Sequence, residues 1–327
     1  MSVLVTGGAG YIGAHIVHVL VEAGRDVVVA DDLSTGSPDR IGDVPLMHVD
    51  LSTDAATDQL EGAIRSHGVD AVVHVAAKKQ VGESMQRPAW YYRQNVGGMA
   101  NLLEAIARTG VERVVFSSSA AVYGVPERTI VDETVEPRPI NPYGATKLVG
   151  EWMLADAARA TGLSHASLRY FNVAGAGRPD LGDPEALNLV TIVLDRMARG
   201  LRPLVYGDHH PTPDGTGVRD YVHVLDLAEA HLAALEHLDA PDRMHDVFNV
   251  GTGSGASVLE VIARISAERG TELEPEIVPA RAGDPAQLVA DPGRIETDLG
   301  WRATRGLDEI IASACEADLA RRTRSRD

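Results

Sequence analysis

The sequence predicts an α/β protein: a doubly wound parallel sheet followed by a smaller, loop-rich C-terminal α/β domain. Three observations carry this. Short β-branched runs alternate with longer helical patterns through the first half of the 327 residues. The first run ends in a glycine-rich turn that opens directly into an apolar helix. After about residue 173 the texture changes, and Gly, Pro and Asp cluster at 175–184 and 207–217.

In order, strands are expected at 3–5, 27–30, 45–49, 71–75 and 113–117, with a sixth over 166–172. Helical patterns occupy 11–23, 54–67 and 88–109 between them. Continuous apolar strands separated by helices belong to βαβ units, whose parallel sheet is covered on both faces. A further helix starts near Pro142, with Asn141 as N-cap and Pro142 in the first helical position, both favoured there. The second half predicts helices over 185–199, 224–238, 256–269 and 306–321, and short strands at 203–206 and 247–250. Long loops in a compact chain are usually functional. Residues 1–172 are therefore expected as one domain, with a return of the chain near 221–252, and 173–327 as a second. The basic end (Arg321, Arg322, Arg324, Arg326) reads as a solvated, frayed tail.

Composition excludes several classes of function. Hydrophobic residues at 44% and charged residues at 24% are an ordinary globular mixture, not a disordered or fibrous one. With 30 Lys and Arg against 47 Asp and Glu, the formal charge is −17. Such a surface opposes binding to nucleic acid or an anionic membrane. Any anionic ligand must be caught by local Arg, Lys or backbone N–H groups. The one cysteine, Cys315, rules out intrachain disulfides and Cys-rich metal sites. His209-His210 lacks a third spaced ligand, so no metal site is expected. No basic leader and no apolar stretch of membrane-spanning length is visible, so a soluble, cytoplasmic protein is expected.

The first strand runs into Thr6-Gly7-Gly8-Ala9-Gly10-Tyr11-Ile12-Gly13 and then a helix. This is the dinucleotide-binding, Rossmann-type arrangement: glycines permit the tight turn, and the helix N-terminus offers N–H groups to a pyrophosphate. Asp31 ends the second strand, where a carboxylate bonds ribose hydroxyls and repels a 2′-phosphate. Asp32 adds negative charge, and Arg40 is the next basic residue along the chain. NAD is therefore expected rather than NADP. Asp50, ending the third strand, reads equally as an adenine contact and as a turn residue.

The fifth strand leads into Ser117-Ser118-Ser119-Ala120-Ala121, and Asn141-Pro142-Tyr143-Gly144-Ala145-Thr146-Lys147 follows. Tyr143 and Lys147, four apart, share a helix face. Tyrosine is a poor base at its usual pKa of about 10. A nearby ammonium and a cationic nicotinamide favour the phenolate. With a serine hydroxyl on the reacting oxygen, this is an acid/base set for hydride transfer at a sugar carbinol. Of the remaining candidates, His74, Trp90, Tyr91-Tyr92 and Cys315 read as packing residues.

On these residues the chain resembles the extended short-chain dehydrogenase/reductase family, and within it the nucleotide-sugar 4-epimerases that interconvert UDP-galactose and UDP-glucose. The resemblance runs nearly end to end. It covers the glycine loop, Val75 to Ser84, Gln94-Asn95-Val96-Gly97-Gly98, the serine run, Tyr143 with Lys147, and Arg169-Tyr170-Phe171-Asn172. Its most specific stretch is Asp214 to Val224. It implies NAD as cofactor, oxidation at C4, rotation of the 4-keto sugar and reduction from the opposite face. Ser119, Tyr143 and Lys147 would be catalytic. Gly7, Gly10, Tyr11, Ile12, Gly13, Asp31, Asp50, Leu51, Lys79, Asn95, Tyr143, Lys147 and Tyr170 would hold the cofactor. Ser119, Tyr143, Asn172, Asn188, Leu204, Tyr206, Arg219, Arg281 and Asp284 would hold the UDP-sugar. Read alone, Arg219 and Arg281 fit surface ion pairs better than a ligand role.

There are departures. Ala120-Ala121 stands where many members carry Thr at the second position, and where related dehydratases carry an Asp-Glu pair. An alanine pair cannot supply the acid and base of water elimination. Leu288 falls where the family limits room for an N-acetyl group and leaves that preference open. The alternatives are a related UDP-N-acetylhexosamine or UDP-pentose epimerase, or a non-catalytic NAD-binding sensor. The resemblance also implies a homodimer built on the helices near 88–109 and 142–158, where Gly97, Gly98, Ala100, Leu102, Leu103 and Ala105 suit close packing.

Overall fold

Val3, Leu4 and Val5 are fully buried, as are Val72 and Val73 on the neighbouring strand. That is the environment of parallel strands with helices on both faces. The structure, a computed structural model, describes residues 1–239, 245–281 and 283–324. It divides into two compact units: Met1–Gly124 with Pro137–Arg169 and Ala228–Phe248, and Val125–Glu136 with Tyr170–Leu227 and Asn249–Asp327.

The first unit is built on a seven-stranded sheet. Its order is His245–Val250, Ser164–Tyr170, Arg113–Ser119, Val69–His74, Ser2–Thr6, Asp26–Asp31, Leu46–His48. Ser2–Thr6 pairs in parallel with Asp26–Asp31 on one side and Val69–His74 on the other. The chain thus starts in the sheet interior, runs to one edge and then winds back past its start to the other. In such sheets ligands bind where the strand order reverses, outside the carboxyl ends of the strands; here that is the end of Ser2–Thr6. Leu4, Val72, Val114, Met99, Leu102 and Leu154 belong to the core beneath.

The expected helix over 88–109 is continuous but changes type along its length. Pro88–Tyr91 is one α-turn, Tyr92–Gly97 is a π-turn, and α-helix resumes at Gly98–Thr109. A further helix, Val81–Gln86, precedes it. π-turns are widened and commonly mark functional positions; this one carries the buried Asn95. The residues expected to pack subunits are divided as well. Leu102 and Ala105 lie in the core, and a Cβ on Gly98 would sit 3.1 Å from Leu51. Ala100 stays exposed.

In the second unit, Val218–His223 is the central strand. It pairs with Gly255–Ser257, Gln287–Ala290 and Asn172–Ala174, and Ile130–Val131 flanks Gln287–Ala290. Leu204–Tyr206 pairs separately with Glu276–Val278. The expected sixth strand over 166–172 ends at Tyr170, and Asn172 starts a new strand in the second unit. Val190, Val193, Leu194, Ile262, Ile265 and Ile310 form this unit's core, with Cys315 buried in it.

The basic end is not a frayed tail. Helix Leu307–Arg324 runs through it. Arg321 and Arg322 both bond the buried carboxylate of Asp318, at 2.9 and 2.8 Å, and Arg269 reaches the same group at 2.8 Å. A carboxylate taken out of water needs such partners, which orders the last turns. Arg326 lies outside the described residues. Among the described residues no helix is long and apolar enough to cross a membrane, and no cluster of three or more His, Cys, Asp or Glu side chains can hold a metal.

Candidate active site

The glycine turn is fixed by packing. Gly7 has φ +71°, and a Cβ there would lie 2.7 Å from the Ala76 nitrogen. A Cβ on Gly13 would lie 2.0 Å from the Gly7 carbonyl oxygen. Gly10 is the N-cap of helix Tyr11–Glu22, which has no side-chain cap and no acidic residue in its first turn. The positive end of the helix dipole therefore meets no anionic side chain there, which suits an anionic ligand. Tyr11 is buried against His15, and Ile12 is half-buried. This cradle fits a dinucleotide pyrophosphate.

Asp31 is buried, and its carboxylate accepts from the N–H groups of Ala9 at 3.0 Å and Leu33 at 2.8 Å. Burial raises its pKa, against the pull of those two bonds and of Lys78. The basic residue beside this pair of acids is Lys78, not Arg40. Its Nζ lies 2.7 Å from Asp32, a partner 46 positions away in sequence. Asp50 accepts from the Ser52 N–H at 2.9 Å and hydroxyl at 2.7 Å, as a turn residue does. Leu51 is buried, and Lys79 is exposed. Asn95 clasps the Lys78 main chain, accepting from its N–H at 2.8 Å and donating to its carbonyl at 3.0 Å. Its other amide proton goes to Thr146 at 3.0 Å. Tyr170 ends strand Ser164–Tyr170, half-buried.

The serine run sorts itself by partner. Ser117 Oγ lies 2.7 Å from His231, and Ser118 Oγ donates to Glu151 at 2.5 Å. Ser119 hydrogen-bonds the Tyr143 hydroxyl. Tyr143 sits in the first turn of helix Pro142–Thr161, which Asn141 caps by accepting from the Gly144 N–H at 2.8 Å. Gly144 is required there, since a Cβ would lie 2.5 Å from the Ala121 carbonyl oxygen. One turn on, Lys147 is buried and donates to the Ser117 carbonyl at 2.7 Å.

Electrostatics depart from expectation at Tyr143. Burial pushes its pKa up, and the Ser119 hydrogen bond pulls it down by less. Lys147, expected to lower it, directs one hydrogen bond to the strand carbonyl. Burial brings Lys147 itself down to about 7, although Glu151 opposes this. Glu151 was not anticipated from the sequence. It forms a two-point bridge to the buried Arg169, at 2.9 and 2.6 Å, and Arg169 also donates to Tyr123 at 3.1 Å. Glu151 is four residues beyond Lys147 on the same face, so helix periodicity held the signal.

In the second unit, Arg219 pairs with Asp284 and donates to the Val218 carbonyl at 2.8 Å. Arg281 stacks on Tyr206, its guanidinium 3.7 Å from the ring centre. Leu204 opens the same short strand as Tyr206. Leu288, buried, is the strand partner of Arg219. Asn172 hydrogen-bonds Tyr221, whose pKa burial lifts to about 12. Asn188 caps helix Leu189–Ala198, accepting from the Thr191 N–H at 3.0 Å and donating to Asp183 at 2.9 Å. The structure thus joins Arg219 with Asp284 and Arg281 with Tyr206, and commits Asn188 to a helix cap.

Known proteins resemble this chain over most of its length. Residues 3–251 match the model of the NAD dependent epimerase/dehydratase family. A UDP-glucose 4-epimerase from Azospirillum brasilense is 45% identical over 318 residues, covering 95% of this chain and 90% of the relative. A UDP-glucose 4-epimerase from Stenotrophomonas maltophila, solved with bound NAD and formylated UDP-arabinopyranose, superimposes with a TM-score of 0.93 at 41% identity, covering 100% and 99% of the two chains. The Bifidobacterium longum UDP-glucose 4-epimerase, solved with NAD+ and UDP, gives 0.90 at 37% identity over 98% of each. With a glycine cradle, a Ser-Tyr-Lys set and relatives this similar over nearly its whole length, the chain belongs to the NAD dependent epimerase/dehydratase family.

Proposed function

We propose that this protein is a UDP-glucose 4-epimerase that interconverts UDP-galactose and UDP-glucose, with NAD as resident cofactor. The observation that carries this reading is the Ser119–Tyr143–Lys147 set, on the same unit as the glycine cradle. A binding sensor would need none of the three. Bound NAD supplies hydride acceptance and return at C4. Gly7, Gly10, Gly13 and the start of helix Tyr11–Glu22 would hold its pyrophosphate, and Asp31 its adenosine ribose. Tyr143 takes the C4 hydroxyl proton and gives it back, while Ser119 holds the same oxygen. Lys147 positions the nicotinamide ribose.

Arg219, Asp284, Arg281, Tyr206, Leu204, Asn172 and Asn188 are assigned to the UDP end. Arginine suits bidentate diphosphate contacts and carboxylate suits ribose hydroxyls. Energy from this non-reacting end can anchor the ligand while the sugar turns over. The same reading places the protein in the cytoplasm, in galactose metabolism, as a homodimer. The free cysteine, buried in an apolar core, suits a reducing compartment.

The test is to incubate purified protein with UDP-galactose and no added nucleotide. UDP-glucose should accumulate, and denaturing the protein should release NAD(H). Released nucleotide without conversion would leave the sensor or an epimerase for another UDP-sugar, and released NADP would overturn the role of Asp31.

A further inference from the structure

Asp32 follows the end of strand Asp26–Asp31, and Lys78 lies four residues past the end of strand Val69–His74. Strand Ser2–Thr6 lies between those two, with Thr6 in register with Ala30 on one side and His74 on the other. Neighbouring strands are about 4.8 Å apart, so the Asp32 and Lys78 side chains, starting from the two strands that flank Ser2–Thr6, together reach across about two strand spacings. The Lys78 ammonium lies 2.7 Å from the Asp32 carboxylate and 2.6 Å from the Ser34 hydroxyl, and Ser34 donates to the same carboxylate at 2.6 Å.

Both ends of this bridge are held. On the lysine side, the Lys78 main chain is clasped by the Asn95 amide, and Asn95 continues to Thr146, whose hydroxyl donates to the Tyr143 carbonyl at 2.7 Å. On the acidic side, Leu33 has φ +54°, the one non-glycine residue with positive φ among the described residues. L-residues with bulky side chains avoid that conformation, and strain of this kind gathers at ligand clamps. Here the Asp31 carboxylate holds the Leu33 N–H at 2.8 Å, and the Asp32 carboxylate holds the Ser34 N–H at 2.9 Å. Burial alone would raise the Asp32 pKa, but Lys78 and Ser34 outweigh it and bring it below the usual carboxylate value. The Asp32 carboxylate therefore stays ionised at neutral pH.

We propose that the Asp32–Lys78 bridge is a clasp across the dinucleotide crevice that must open for NAD to leave, making Lys78 a positioning residue for cofactor retention. The proposal rests on the reading that NAD occupies the glycine cradle. It gives the strained turn at Leu33 a purpose, because that turn ties the Asp32 carboxylate to the Ser34 N–H beside the Lys78 ammonium. It also links retention to the Tyr143 helix through Asn95 and Thr146.

The test follows exchange of bound NAD for isotopically labelled NAD by mass spectrometry, in the intact protein. Lys78→Met and Asp32→Asn should each speed exchange about three- to tenfold, as expected for losing one half-buried charged hydrogen bond. The double variant should be no faster than either single one, because both remove the same contact. Lys78→Arg should restore slow exchange. Salt should speed exchange in the parent and not in Lys78→Met. Parent-like exchange in both single variants, or additive effects in the double variant, overturns the clasp. A parent protein that carries no NAD overturns the cofactor reading instead, so the two failures are distinct.

Discussion

Tyr143 keeps its proton in the protein by itself, because burial disfavours the phenolate more than Ser119 favours it. In the proposed reaction, its work as a base would draw on positive charge arriving with the cofactor. Tyr143→Phe should lower turnover by about 10²–10⁴, the usual weight of acid–base catalysis. Calorimetric UDP binding should be retained, and near-parental turnover would refute the assignment. Lys147 offers a second test. Its pKa is about 7 folded against 10.5 for the free side chain. Between those values the unfolded chain holds a proton that the folded chain lacks, so stability rises with pH across that window and the gain is absent below it. In cofactor-free protein, Lys147→Met should remove this slope from urea midpoints measured between pH 7 and 10.5. An unchanged slope would mean that Lys147 stays charged when buried.

At the scale of the element, helix Pro142–Thr161 carries much of the site. Tyr143, Lys147 and Glu151 recur every four residues on its buried face. Glu151 and Arg169 are both buried at 6% side-chain exposure, so removing one partner strands a charge. Glu151→Ala should destabilise the protein by about 3–5 kcal/mol in chemical denaturation, whereas a loss under 1 kcal/mol would show that water reaches Arg169. The helix start was legible in the sequence because Asn-Pro capping is local. The first-half strands were legible because their apolar runs are continuous. Strands such as Ile130–Val131 and Gly255–Ser257 were not, since two or three residues carry no period and their pairing comes from distant segments. The π-turn at Tyr92–Gly97 lies inside a helix the sequence did show, but a local widening leaves no mark on apolar periodicity. Lys78 was missed because its acidic partner lies on another strand end. The C-terminal arginines were misread although Asp318, three and four residues before Arg321 and Arg322, was in plain view.

At the scale of the whole molecule, a formal charge of −17 opposes self-association, so a homodimer needs a substantial apolar contact. The first unit offers one. Trp152 is 58% exposed and Met85 60%, with Val81 and Tyr92 also exposed. They sit on helices Val81–Gln86 and Pro142–Thr161 and on the π-turn Tyr92–Gly97, elements that pack on one another. Exposed apolar groups gathered on packed elements mark an interaction surface more often than a monomer's skin. A dimer face would thus be centred on Trp152 and Met85, while Leu102 and Ala105 serve the core. Light scattering at micromolar concentration should give twice the chain mass of 34.8 kDa. Trp152→Glu should halve it, because a carboxylate would then be buried in each copy without a partner. Circular dichroism should stay unchanged, since Trp152 adds little to its own unit's core. A monomeric parent, or a dimer that ignores Trp152→Glu, would move the contact elsewhere on the surface.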